Sequence, residues 1–149
     1  TGQMNYKEKI TWLQRYLKAR EQARFLGDCA QEMEAEAEGM RTRLDGMPGA
    51  GRDTARLARS VEKVEETRKM ADAALDRCAE LRIELVAELA KVQHPLAQEV
   101  LRRRYINGES YAEICDALAL VERRVYQLHR LGVNKVCEDG QHRPEKEVQ

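Results

Sequence analysis

The run Gly46-Met47-Pro48-Gly49-Ala50-Gly51 divides the amino-terminal part of this chain into two long helical stretches. Three glycines and a proline in six residues cannot continue a helix. Before the break, apolar side chains recur at Tyr6, Ile10, Leu13 and Leu17, then at Ala23, Leu26, Ala30, Met33, Ala37, Met40 and Leu44. The steps alternate three and four, except between Leu17 and Ala23, where Arg20 interrupts the stripe. This is a heptad-like pattern with a stammer. Glu32, Glu34, Glu36 and Glu38 cluster near its end and read as a solvated face. After the break the stripe runs through Leu57, Val61, Val64, Ala71, Leu75, Cys78, Leu85, Leu89 and Val92, with Arg68 and Arg82 on the same rhythm. Asp53 is placed to cap this second helix by accepting from a free backbone N–H. Two striped helices of similar length, each roughly 50–60 Å at the helical rise, joined by a short connector, favour an antiparallel hairpin.

Composition agrees with long helices rather than a large globular core. Aromatic residues make up only 5% of the 149 residues, and charged residues reach 35%. Basic and acidic side chains balance at 26 each over the whole chain. They also balance within residues 1–94, at 17 each. A basic surface, if present, must therefore be local. No apolar run approaches the roughly 18 residues of a membrane span. No secretory leader is read at the amino terminus, so a cytoplasmic location in a bacterial host cell is the expectation. Cys29, Cys78, Cys115 and Cys137 are scattered, without zinc-finger spacing, and read as idle thiols. In an antiparallel register Cys29 and Cys78 lie about six positions apart, roughly 9 Å, too far for a disulfide. No metal or cofactor site is read. An enzyme needs a nucleophile with a base, or a metal cluster, and neither pattern occurs, so a non-enzymatic role is expected.

The pattern changes at His94-Pro95, since proline disfavours helix in the residue before it and suits a first helical turn. A short helix over about Pro95–Ile106 is expected, packing through Leu96, Val100, Leu101, Tyr105 and Ile106. Asn107-Gly108 breaks it. Ser110 and Glu113 form a capping box for a second helix at about Tyr111–Leu118. A third begins near Val121 and runs to about Leu131 or beyond. Two short helices about a tight turn define a helix-turn-helix. Ile114 and Leu118 would face Val125 and Leu128, Leu120 would plug the turn, and Cys115 is small where helices approach. The outer face of the third helix then offers Glu122, Arg123, Arg124, Tyr126, Gln127 and Arg130. Long polar side chains on a docking helix are the type that reaches base edges and phosphates. Arg102 and Arg103, with Arg104, are further candidates for phosphate contact. Residues 95–137 carry seven basic against five acidic side chains. His129 reads as a packing or surface residue.

Arg102-Arg103-Arg104-Tyr105-Ile106-Asn107-Gly108-Glu109-Ser110-Tyr111-Ala112-Glu113-Ile114, continued by Val125-Tyr126-Gln127-Leu128-His129, resembles region four of bacterial RNA-polymerase sigma factors. It is similar, more closely, to the small sigma-like regulators of bacteriophages and prophages of the RinA and ArpU groups. The resemblance implies a transcriptional regulator of phage genes that binds duplex DNA and contacts RNA polymerase. Two departures fall in the turn. Ala119 stands where glycine is usual, and Val121 stands where a serine or threonine caps the following helix. Glu122 replaces a residue that is commonly basic.

The expected fold is all-α: a long antiparallel, coiled-coil-like helical hairpin followed by a C-terminal helix-turn-helix. Residues 1–93 form the hairpin and oligomerisation region, with helices at about 5–44 and 53–92 and a connector at 46–52. Residues 94–137 form the helix-turn-helix, and 138–149 a disordered tail. The expected function is sequence-specific duplex-DNA binding by a homodimer. Two alternatives are a small terminase-like DNA-packaging protein, which would form a high-order ring, and a helical protein–protein adaptor, which would not bind DNA.

Overall fold

The computed structural model describes residues 2–46 and 51–139. Those residues are all-helical, without a strand: α1 Tyr6–Leu13, α2 Arg15–Leu44, α3 Gly51–Ala90, α4 Pro95–Tyr105, α5 Tyr111–Leu118 and α6 Glu122–Lys135. Residues 47–50 of the expected connector, and the expected tail from residue 140 onward, lie outside the described residues.

Several boundaries differ from the sequence expectation. The first long helix is two helices. Asn5 caps α1, accepting from Glu8 N–H at 2.9 Å while Glu8 accepts from Asn5 N–H at 2.9 Å. Gln14, with ψ −10°, then separates α1 from α2. Asp53 does not cap the next helix, because α3 already starts at Gly51 and Asp53 falls inside its first turn. There its carboxylate still favours the positive end of the helix dipole.

The chain divides into two compact units. One combines the stretch through Lys18 with the stretch from Ala79 onward, and Ala19–Cys78 form the other. The sequence places the boundary at 93/94 instead. The reason for the difference lies in three large side chains near the amino terminus. Met4, Trp12 and Tyr16 are buried at 5%, 5% and 6% exposure. They break the expected stripe, yet they supply core together with Leu81, Leu85 and Leu89 of the α3 end and with Val92 just beyond it.

In the first unit α6 is the central helix and packs against α4, α5 and α1. Val100, Leu101, Ile114, Val125, Leu128 and Val133 are fully buried between these helices. Polar anchors tie its parts together. Lys9, itself buried, donates from Nζ to the Asn134 carbonyl at 3.0 Å, placing a cation at the carbonyl end of α6. Glu88 is 2% exposed; its carboxylate accepts from the Cys137 backbone N–H at 2.9 Å and from Lys91 Nζ at 2.7 Å. Gln98 donates to the Leu89 carbonyl at 3.0 Å, a second bond to an oxygen that also accepts from Val92 N–H at 3.1 Å. Arg15 and Glu84 pair at 3.6 Å.

In the second unit, small side chains are buried: Ala23, Ala30 and Ala37 on α2, and Ala71 and Cys78 on α3. Arg68 donates from Nε and Nη2 to Glu34 Oε1 at 3.0 and 2.7 Å. A sequence-level interruption of one stripe thus meets a carboxylate read as solvated. Met40 and Leu44 line a cavity with Asp53 and Arg56. Leu75, expected on the buried stripe, is 57% exposed. All four cysteines are free thiols. Burial, the largest cause, pushes the Cys137 thiol up to about 12, which keeps it protonated and unreactive at neutral pH.

Candidate nucleic-acid interface

The local sequence sets the three short helices in place. His94 caps α4 by accepting from Ala97 N–H at 3.2 Å, and Pro95 occupies the first helical position. Ser110 and Glu113 make the expected capping box at the start of α5, with bonds of 3.1 and 2.8 Å. Ala119 ends α5 in the left-handed region, at φ 53° and ψ 43°. Val121 precedes α6 without a side-chain cap bond. Both departures noted in the sequence are therefore real costs, each on the order of 1 kcal/mol. The 14-residue α6 and its buried row Val125, Leu128, Gly132 and Val133 offset them through packing. Gly132 permits a close approach of α4 to α6: a Cβ there would lie 2.7 Å from Leu101 Cδ1 and 2.9 Å from its Cγ.

The opposite face of α6 is exposed along Glu122, Arg123, Arg124, Tyr126, Gln127 and Arg130. The side chains of Arg123, Arg124 and Gln127 make no hydrogen bond or ion pair among the described residues. Tyr126 donates its hydroxyl to Glu122 Oε1 at 2.9 Å, and its ring lies 4.8 Å from that of Tyr111. That bond to a carboxylate is the first cause of the raised Tyr126 pKa.

Arg102 and Arg103 sit differently. Arg102 grips Glu99 with two bonds, at 2.9 and 2.6 Å. Arg103 bonds Glu99 at 2.9 Å and Glu109 at 3.1 Å. The hydrogen bond from Arg102 is the main reason that the Glu99 carboxyl is held below the usual range. Arg104 donates to the Glu109 carbonyl at 3.0 Å and stacks over the Tyr111 ring at 4.4 Å. Arg103 and Arg104 thus join α4 to the loop before α5, and Arg102 is held within α4 by Glu99.

One group missed by sequence reasoning lies beside that row. His129 is 5% exposed, and three tyrosines converge on it. Tyr105 Oη is 2.7 Å from Nε2, Tyr111 Oη 3.4 Å from Nε2, and Tyr6 Oη 3.4 Å from Nδ1. Burial, helped by the Arg104 charge, lowers the His129 pKa to about 4, so the ring is neutral at pH 7. Burial likewise raises the Tyr105 hydroxyl. Tyr6 reaches this cluster from 123 positions away in the chain, which no local pattern encodes. An open cavity of about 660 Å³ above the cluster is lined by Tyr6, Tyr111, Tyr126, His129 and the α6 residues Glu122, Arg123, Gln127 and Arg130.

Among the described residues no His, Cys, Asp and Glu grouping could hold a metal ion, and no helix is long and apolar enough to cross a membrane. No protein family, characterised protein or solved structure matches the chain.

Proposed function

We propose that this chain is a duplex-DNA-binding transcriptional regulator in which α5 and α6 act as a helix-turn-helix. The observation that carries this reading is the division of α6. Val125, Leu128 and Val133 are buried, while Arg123, Arg124 and Gln127 project outward without partners among the described residues. Arginine and glutamine on such a face match the hydrogen-bonding edges of guanine and adenine in a major groove. Guanidinium groups also neutralise phosphates. The sigma-like resemblance of the stretch from Arg102 to His129 points the same way and adds RNA polymerase as a partner. We read the Arg68–Glu34 pair and the cavity between Leu44 and Arg56 as parts of an antiparallel hairpin. The hairpin would pair two copies on a two-fold-symmetric site.

The test begins with selection of bound sequences from random duplex DNA. Arg123→Ala and Gln127→Ala should then each weaken binding to the selected site by about 1–3 kcal/mol. Both positions are exposed, so the thermal midpoint should stay within a degree or two. If both variants hold the selected site as tightly as the parent, α6 does not read the bases.

A further inference from the structure

We infer that Tyr6, Tyr111 and Arg130 form a clamp for one backbone phosphate of the bound duplex, so that the amino-terminal helix α1 is part of the DNA interface. The inference deepens the DNA-binding reading and rests on it.

The argument starts from His129. A neutral imidazole has one N–H to give and one lone pair to accept with. Two hydroxyls, those of Tyr105 and Tyr111, lie within reach of the same Nε2. The Tyr105 hydroxyl is nearer, at 2.7 Å, and has no other partner among the described residues. Tyr105 is also buried at 3% exposure. Its proton must therefore go to Nε2, because an unspent buried donor costs about 1–3 kcal/mol. That assignment uses the lone pair of Nε2, and the Tyr111 hydroxyl proton is left available.

The same assignment puts the ring proton on Nδ1, which then donates to Tyr6 Oη. Tyr6 is an acceptor in that bond, so its own hydroxyl proton is also available. Both unspent donors border the same cavity. Arg130 stands beside them, with its guanidinium carbon 5.6 Å from the centre of the Tyr6 ring. The cavity wall carries two guanidinium groups, Arg123 and Arg130, against the single carboxylate of Glu122. That carboxylate already accepts from Tyr126. Two hydroxyl donors and a guanidinium around an open, net positive depression fit the oxygens of a phosphodiester. The position is beside the face proposed to read bases, where backbone contacts fix the register of a docking helix.

The experiment uses the full chain and measures duplex affinity over a salt series. The proteins are the parent, Tyr6→Phe, Tyr111→Phe, Arg130→Gln and, for comparison, Arg123→Ala. A phosphate contact is blind to sequence. Tyr6→Phe should therefore weaken selected and random duplexes by the same factor, about tenfold for a hydrogen bond to a charged group, and leave the salt slope unchanged. Tyr111→Phe should do likewise. Arg130→Gln should weaken both duplexes and make the slope shallower by about 0.9. The two Tyr→Phe changes keep the shape of the side chain, all four positions are exposed or half-exposed, and a thermal melt checks that the fold is retained. Parent-like affinity for Tyr6→Phe and Arg130→Gln, with Arg123→Ala still impaired, would overturn the clamp and leave the DNA-binding reading standing. A parent chain that binds no duplex at any salt would overturn both. Inorganic phosphate added at constant ionic strength should not displace the duplex. If phosphate instead binds the parent chain in a Tyr6-dependent way and leaves its duplex affinity unchanged, the notch takes the free anion and the assignment to the DNA backbone fails.

Discussion

Ala119 occupies left-handed backbone at φ 53°, where a β-carbon crowds the following carbonyl and costs about 1–2 kcal/mol. Glycine avoids that strain but gives up more unfolded-state entropy. The balance favours Ala119→Gly, which should stabilise the chain by about 1 kcal/mol and raise its melting temperature by a few degrees, read by circular dichroism. An unchanged or lower midpoint would mean that the Ala119 side chain contributes packing that offsets its strain. His129 is buried among the hydroxyls of Tyr6, Tyr105 and Tyr111. Its pKa falls from 6.5 to about 4 in the folded protein. Below pH 6.5 the unfolded chain takes up a proton that the native state refuses, so stability is fully present above that pH and declines as the pH falls toward 4. Between pH 7 and pH 5 the loss should reach about 2 kcal/mol. Urea unfolding across that range should show the decline in the parent, and His129→Gln should flatten it. The same slope in both proteins would remove His129 as its source. The sequence placed His129 on a packing or surface face; three tyrosines on one imidazole were not legible, because Tyr6, Tyr105 and Tyr111 come from three helices.

At the scale of elements, local chemistry was legible where the determinants sit within a few residues. The Ser110–Glu113 box, the Pro95 start and the length of α5 follow from capping and proline sterics, and each is found. The stripe periodicity likewise located Leu13, Ala23, Ala30, Ala37, Ala71 and Leu85 on buried faces. It failed at Leu75, which is exposed, and at Leu81, which is buried where the rhythm pointed to Arg82. A heptad count carries no information on where the packing partner changes, and the second unit gives way to the first between Cys78 and Ala79. The break at Gln14 was equally hidden, since no glycine or proline marks it. Gly132→Ala would push a methyl against Leu101, a fully buried side chain. The substitution should cost about 1–3 kcal/mol, measured by chemical denaturation. Leu101→Ala added to it should cost less than the sum of the two single changes, because the cavity receives the methyl. Additive losses would contradict a close approach at this point.

For the molecule as a whole, the division of labour differs from the one drawn along the sequence. The three short helices do not stand alone: Lys9 bonds the end of α6, Glu88 holds Cys137, and Trp12, Leu85 and Leu89 join the buried set. A module of about 45 residues has too little surface to bury by itself, and the chain meets that need with residues from its opening and from the end of α3. Such long-range sharing is invisible to window-based reading, because it depends on which elements meet and not on their own periodicity. The proposed DNA-docking surface is the exposed face of α6, which carries Arg123, Arg124 and Arg130 against Glu122. The chain is neutral overall, with 26 basic and 26 acidic side chains, so any strong salt dependence must come from such a local surface. The most direct measurement is the affinity of the full chain for its selected duplex as salt is varied. With three to five phosphates neutralised, log K should fall against log salt with a slope of roughly −3 to −4.5. An affinity that stays flat from low to moderate salt, or no binding at the lowest salt, would contradict it.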